Sequence, residues 1–214
     1  MARNAMIFGD SYSTFRGYIP EGYAVYYHEA EGQENTDVRK VTETWWHQVV
    51  SETGLNLIQN NSWSGSTVCH TGYNNTDCSK TSSFIYRLRK LTEEGFFQEN
   101  RIDTVFVFGG TNDSWADDPL GTLKFDGIQE SDLFCVLPGI SYFLQTLKNT
   151  LPQADIYCLI NTELKPEIAD GFLQVCGKVG ITPVTFDYID KNCGHPTVRG
   201  MKDIRNGVLA ALDK

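Results

Sequence analysis

The amino-acid sequence predicts an α/β domain of three layers, with helices on both faces of a five-stranded parallel, doubly wound sheet. Two observations lead there. Short apolar runs alternate with longer segments whose apolar residues recur every three or four positions, and this alternation continues through the 214 residues. Residue types that carry chemistry, Gly-Asp-Ser, Gly-Thr-Asn-Asp and Gly-His-Pro, stand just beyond such runs or near the carboxyl end, and open α/β sheets gather their functional residues at the strands' carboxyl ends.

The first strand is the run Ala5-Met6-Ile7-Phe8, closed by Gly9-Asp10-Ser11-Tyr12. A helix carrying Trp45, Trp46, Val49 and Val50 precedes a second strand, Leu55–Ile58. Phe84, Ile85, Leu88 and Leu91 have helical spacing before a third strand, Thr104–Phe108. A helix through Phe143, Leu144 and Leu147 leads to a fourth strand, Asp155–Ile160. A helix near 166–178 leads to a fifth strand around Pro183–Phe186. The last helix shows Val198, Met201, Ile204, Val208 and Leu212 on one face, a stripe that faces a core. No linker, repeat or low-complexity tract divides the chain, so residues 1–214 are expected to form one domain. The segment from Tyr12 to Thr44 is too long for an ordinary connection between strand and helix. It carries Tyr12, Phe15, Tyr18, Tyr23, Tyr26 and Tyr27, which either line a substrate pocket beside Ser11 or pack a small core of their own.

Ser11, Gly65, Asn112 and His195 make the candidate site. A serine hydroxyl needs an adjacent base to accept its proton as it attacks, and an imidazole suits that role because its pKa lies near working pH. His195 is the candidate base. Attack on an ester carbonyl puts negative charge on oxygen, and aimed hydrogen-bond donors stabilise it. The Ser11 and Gly65 backbone amides and the Asn112 side chain are the candidate donors, with a helix opening at Ser11 adding its dipole. Taken singly, each residue has a plainer reading: Asn112-Asp113 as a turn, Gly65 as a loop glycine, His195 at the start of a helix. Only the four together point to catalysis.

In that order, Ser, Gly, Asn and His, the chain resembles the SGNH hydrolase superfamily of GDSL-type esterases and lipases, and the resemblance spans nearly all of it. It implies a flavodoxin-like sheet and the cleavage of carboxylic esters through an acyl-enzyme, with no cofactor. The superfamily usually places an Asp three positions before the histidine, where this chain has Asn192 in Asp190-Lys191-Asn192-Cys193-Gly194-His195. Three arrangements follow: Asp190 reaches the imidazole, a backbone carbonyl holds it, or Asn192 itself accepts the bond, and a Ser-His dyad or an Asp190-assisted triad is the expectation. Asp10, Tyr12, Tyr27 and Trp63 are the expected substrate contacts. The expected substrate is a small acyl ester, short-chain and carried on a saccharide. A binding protein that kept the fold and an acyltransferase are the competing readings.

A net charge of −9, from 27 acidic against 18 basic residues, disfavours nucleic acid and anionic membrane surfaces as partners. No run approaches the roughly 20 apolar residues of a membrane span, and the first residues lack a signal peptide's apolar stretch, so a cytoplasmic location is expected. Cys158 and Cys176 are expected in the core, while Cys69 and Cys78 bracket a polar loop and could pair if oxidised. Cys193 stands two residues before His195, but Ser11 has the better strand-end context for a nucleophile. His28, His47 and His70 form no metal-ligand motif, and no metal is expected.

Overall fold

The computed structural model describes residues 2–30 and 35–213. Strands β1 (Asn4–Gly9), β2 (Asn56–Ser62), β3 (Thr104–Phe108), β4 (Asp155–Ile160) and β5 (Thr182–Thr185) form one sheet in the order β2-β1-β3-β4-β5. Every pairing in it is parallel. Helices α1 (Trp45–Thr53), α2 (Phe84–Glu93), α3 (Val136–Thr150), α4 (Pro166–Val179) and α5 (Val198–Leu212) cover it.

Successive strand residues point to opposite faces, and here both faces are apolar. Met6, Phe8, Val105, Val107, Ile156, Cys158 and Ile160 pack with α2, α3 and α4. Ala5, Ile7, Phe106, Phe108, Tyr157 and Leu159 pack with α1 and α5. Local chemistry sets the helix boundaries. Thr44 accepts a bond from the His47 amide at the start of α1, and Thr197 accepts one from Gly200 at the start of α5. Pro166 occupies the first turn of α4. Among the described residues no helix is long and apolar enough to cross a membrane.

From β1 the chain passes through α1 to β2 on one side, then through α2 to β3 on the other. The strand order therefore reverses at β1, which opens a crevice beyond the carboxyl ends of β1 and β3.

Some expectations need correction. β2 runs four residues past Ile58, through Gln59-Asn60-Asn61-Ser62, where Asn60 Nδ2 donates to Ser13 O at 2.7 Å and Ser62 Oγ to Asn60 Oδ1 at 2.5 Å. Ser11 opens only the three-residue turn Ser11–Ser13, too short to carry the expected helix dipole. In the aromatic segment, Tyr12, Phe15, Tyr27 and Val38 are fully buried in the core beneath α1 and α5, so this connection packs inward. All six cysteines are free, with Cys69 and Cys78 both buried.

Candidate active site

Asp10 and Ser11 follow directly on β1. The Asp10 amide still donates to Phe108 O of β3 at 3.2 Å, and Asp10 Oδ1 accepts from the Tyr12 amide at 3.0 Å, which turns the chain and presents Ser11. Burial pushes the Asp10 carboxyl up to about 7, against the Tyr12 and Thr111 hydrogen bonds that favour its ionised form. Ser11 is only 2% exposed, and its Oγ lies 3.1 Å from Nε2 of His195, 184 positions away in the chain.

His195 stands on a small hairpin that sequence periodicity does not reveal, Lys191-Asn192 paired with His195-Pro196. The two linking residues, Cys193 (φ 48°) and Gly194 (φ 79°), both have the positive φ that a tight two-residue hairpin turn requires. Buried tyrosines hold this hairpin. Tyr12 donates its hydroxyl to Gly194 O at 2.5 Å, and Tyr27 donates to Pro196 O at 2.9 Å. Tyr12 and Tyr27 are thus anchors for the base and are not surfaces for substrate, because both rings are enclosed.

The imidazole Nδ1 lies 3.4 Å from the Cys193 carbonyl, and among the described residues no acid touches the ring. Asp190 faces away from it. That carboxylate accepts from Thr197 Oγ1, at the start of α5, and from the Tyr188 hydroxyl at 3.2 Å, so the fold does not bring Asp190 to the imidazole. Asn192 is exposed and pairs within the hairpin. Of the three arrangements left open by the sequence, the backbone carbonyl is the one the fold contains. Aromatic rings complete the support. Tyr26 stacks on the imidazole with centroids 3.6 Å apart and planes 6° from parallel, and Trp115 approaches edge-on at 5.5 Å.

Burial pushes the His195 pKa down to about 4, with the Lys191 cation acting in the same direction and the Cys193 carbonyl opposing it. Lys191 is itself held by Asn161 Oδ1 at 2.8 Å, Thr162 Oγ1 at 3.2 Å and Glu163 at 3.0 Å. A base must be neutral to take a proton, so a pKa lowered from 6.5 keeps His195 competent as pH falls. The acid limb of kcat/KM is therefore expected well below pH 6.5, with activity at pH 5.5 close to that at pH 7.5. A limb centred between 6.5 and 7 would show that the ring is more basic than this environment allows.

Gly65 is the third residue of the turn Trp63–Ser66, closed by the Ser66 amide on Trp63 O at 3.2 Å. Its φ of +80° is one that side chains rarely adopt. Asn112 lies in the single-turn helix Thr111–Trp115 just after β3, where its Nδ2 donates to Ser66 O at 2.9 Å and its Oδ1 accepts from the Tyr73 hydroxyl at 2.9 Å. One amide hydrogen thus clamps the Gly65 turn, and the group has a second. The fully buried Asp113 accepts from the Val68 amide at 2.9 Å and the Cys69 amide at 3.1 Å, fixing the same loop. Cys69, Asp113 and Asp118 bring their ligand atoms within 4.8 Å of one another. Asp113 already spends both its oxygens on backbone N–H groups, so the cluster functions as a loop clamp. Trp63 is half-buried and rests on Tyr23, centroids 4.2 Å apart, beside this turn.

Sequence reading missed Arg87, Lys191 and Asn161 beside the site; Tyr26 was read as an aromatic near Ser11, but not as the ring that stacks on His195. Arg87 had a signal: it shares the helical face of Phe84, Leu88 and Leu91, where a charge is out of place.

A family model for GDSL-like lipase/acylhydrolase proteins matches residues 3–212. The chain is similar to the crystal structure of a GDSL-like lipase from Bacteroides ovatus, with 36% identity, 100% of this chain and 99% of that one covered, and a TM-score of 0.90. It is similar to another from Bacteroides uniformis, at 41% identity, with 99% and 96% covered and a TM-score of 0.89. A family two carbohydrate esterase from Clostridium thermocellum shares the fold at 15% identity and a TM-score of 0.65, over 99% of this chain and 63% of that one. A search of curated proteins found no match.

Proposed function

The chain belongs to the GDSL-like lipase/acylhydrolase family, and from that premise we propose that it is a serine esterase with a Ser11–His195 dyad, acting on short acyl esters of carbohydrates. The observation that carries this reading is the 3.1 Å approach of Ser11 Oγ to His195 Nε2 at the point where the strand order reverses.

In the proposed reaction, Nε2 takes the Ser11 proton as Oγ attacks the ester carbonyl. The resulting oxyanion accepts bonds from the Ser11 and Gly65 amides and from Asn112 Nδ2. His195 then returns the proton to the departing alcohol. Water, activated by the same nitrogen, releases the acid from Ser11. While the ring is protonated, its Nδ1–H is directed to the Cys193 carbonyl and its charge is spread against the face of Tyr26, a cation–π contact of about 0.5–2 kcal/mol. These contacts do what a carboxylate does in a Ser-His-Asp triad.

Two features support the substrate class. The near-complete burial of Ser11 suits a small acyl group. Trp115, 40% exposed, and the half-buried Trp63–Tyr23 pair offer aromatic faces to an alcohol as flat as a sugar ring. The Clostridium thermocellum neighbour, a carbohydrate esterase on the same fold, agrees with this reading.

The test is turnover of para-nitrophenyl acetate, butyrate and octanoate, followed by acetylated xylo-oligosaccharides. Acetate is expected to be the best of the three by about tenfold or more over octanoate, as a pocket loses several methylenes' worth of room. A preference for octanoate would reassign the acyl class, and no turnover of any ester would favour a binding protein.

A further inference from the structure

Arg87 is fully buried in α2, yet among the described residues no carboxylate touches it. Each of its five guanidinium N–H groups has an acceptor. Nε donates to Ser82 O at 2.9 Å, Nη1 to the Asn61 carbonyl and to Asn61 Oδ1 at 2.9 Å, and Nη2 to Gly9 O at 3.2 Å and Ser66 Oγ at 3.1 Å. Its guanidinium also lies over the Phe84 ring at 4.4 Å. A buried cation without a counter-ion in contact is a costly element, and apolar side chains usually fill such space at no loss of stability.

The acceptors explain its presence. Gly9 ends β1 two residues before Ser11, Asn61 lies near the end of β2, and Ser66 adjoins Gly65. The Trp63 amide also donates to Gly9 O at 3.1 Å, and Asn112 holds Ser66 O, so Ser66 is tied through both its side chain and its backbone. One rigid fork therefore joins the two segments whose amides face the developing charge.

Building on the esterase reading, we infer that Arg87 is a positioning residue of the reaction: it sets the spacing between the Ser11 and Gly65 amides and lends the pocket beneath them a positive charge. A planar, five-donor guanidinium suits this task because its geometry is fixed before substrate arrives. The carboxyl that acts on it electrostatically is Asp10, which burial holds about half-protonated at pH 7, so the cation's field is only partly offset from that side.

The interactions invoked strengthen only as charge builds on the carbonyl oxygen, so their loss should appear in kcat and leave KM nearly unchanged. The experiment compares wild type, Arg87→Met and the milder Ser66→Ala, which removes only one acceptor of the fork. Active sites are counted with a fluorophosphonate, and kcat per titrated site, KM and inhibition by a phenylboronic acid are measured on each protein, alongside melting temperature. Arg87→Met is expected to lower kcat per site by about 10²-fold, with KM within threefold and boronate affinity falling in parallel. Ser66→Ala is expected to lose about five- to tenfold in the same quantities. If Arg87→Met does not fold, Ser66→Ala decides. Normal kcat per site with only a lower melting temperature would reduce Arg87 to a structural residue and overturn the inference. Failure of wild type to take up the fluorophosphonate at Ser11 would instead remove the esterase reading, and this inference with it.

Discussion

Ser11→Ala is expected to lower kcat/KM on para-nitrophenyl acetate by about 10⁵-fold or more, and His195→Ala by a similar factor. The two side chains act as one unit across the 3.1 Å Oγ–Nε2 contact, so the double variant should be scarcely worse than either single one. What activity survives would come from the oxyanion donors and binding alone. Asp190→Ala sharpens the test. In a Ser-His-Asp triad, loss of the acid costs about 10⁴-fold, whereas here Asp190 is bound to Thr197 and Tyr188, and its removal should cost no more than a few fold. A large loss in Asp190→Ala would mean that the hairpin rearranges to bring the acid to the ring. Initial rates of wild type and the four variants, with circular dichroism to verify folding, distinguish these outcomes.

Asp113→Ala is expected to be the most destabilising change near the site, by about 2–5 kcal/mol. The substitution leaves the Val68 and Cys69 amides buried without an acceptor, each costing about 1–3 kcal/mol. For a domain of this size that corresponds to roughly 5–15 °C in melting temperature. The loop it frees also carries Gly65, so kcat should fall as well. A pH signature accompanies this. Burial raises the Asp113 carboxyl to about 6 from its ordinary 3.8, so the folded state holds this proton more tightly than the unfolded chain. The group's contribution to stability is therefore greatest below about pH 4 and declines as pH rises to 6. Asp113→Ala should remove that slope. Thermal melts of both proteins from pH 4 to 7 measure both effects, and unchanged melting temperatures would show that the loop is held by other means.

What was legible in the sequence was whatever depends on local periodicity. Short apolar runs place the five strands of the main sheet, and the three-to-four spacing finds the five helices that cover it, because two buried faces leave little freedom in pattern. Ser11, Gly65, Asn112 and His195 were also readable as strand-end and loop residues, and the fold brings Ser11 to His195 and ties Asn112 to the Gly65 turn. Other features are set by contacts between distant segments. β2 continues into polar residues where Ser13 and Arg87 engage Asn60 and Asn61, and no local rule marks that. The aromatic segment could have faced either way; its Tyr12 and Tyr27 turn inward since their hydroxyls meet Gly194 and Pro196, about 170 positions or more downstream, while Tyr18 stays exposed. Asp190 has suitable chemistry and proximity in sequence, but the tight turn at Cys193-Gly194 sends its carboxylate toward α5 and the imidazole toward Ser11.

The strand synthesised first lies inside the sheet, between two neighbours that are made later. As the chain emerges, β1 has no partner until β2 appears and is not flanked on both sides until β3, so Ser11 exists for a long interval without the surroundings that activate it. The base arrives last, on a hairpin fastened by tyrosines from the first thirty residues. Contacts of such sequence separation are slow to form. Ester turnover should therefore be among the last properties to return during refolding, after secondary structure and burial of Trp45 are complete, and a chain stalled short of the hairpin would be compact but chemically silent.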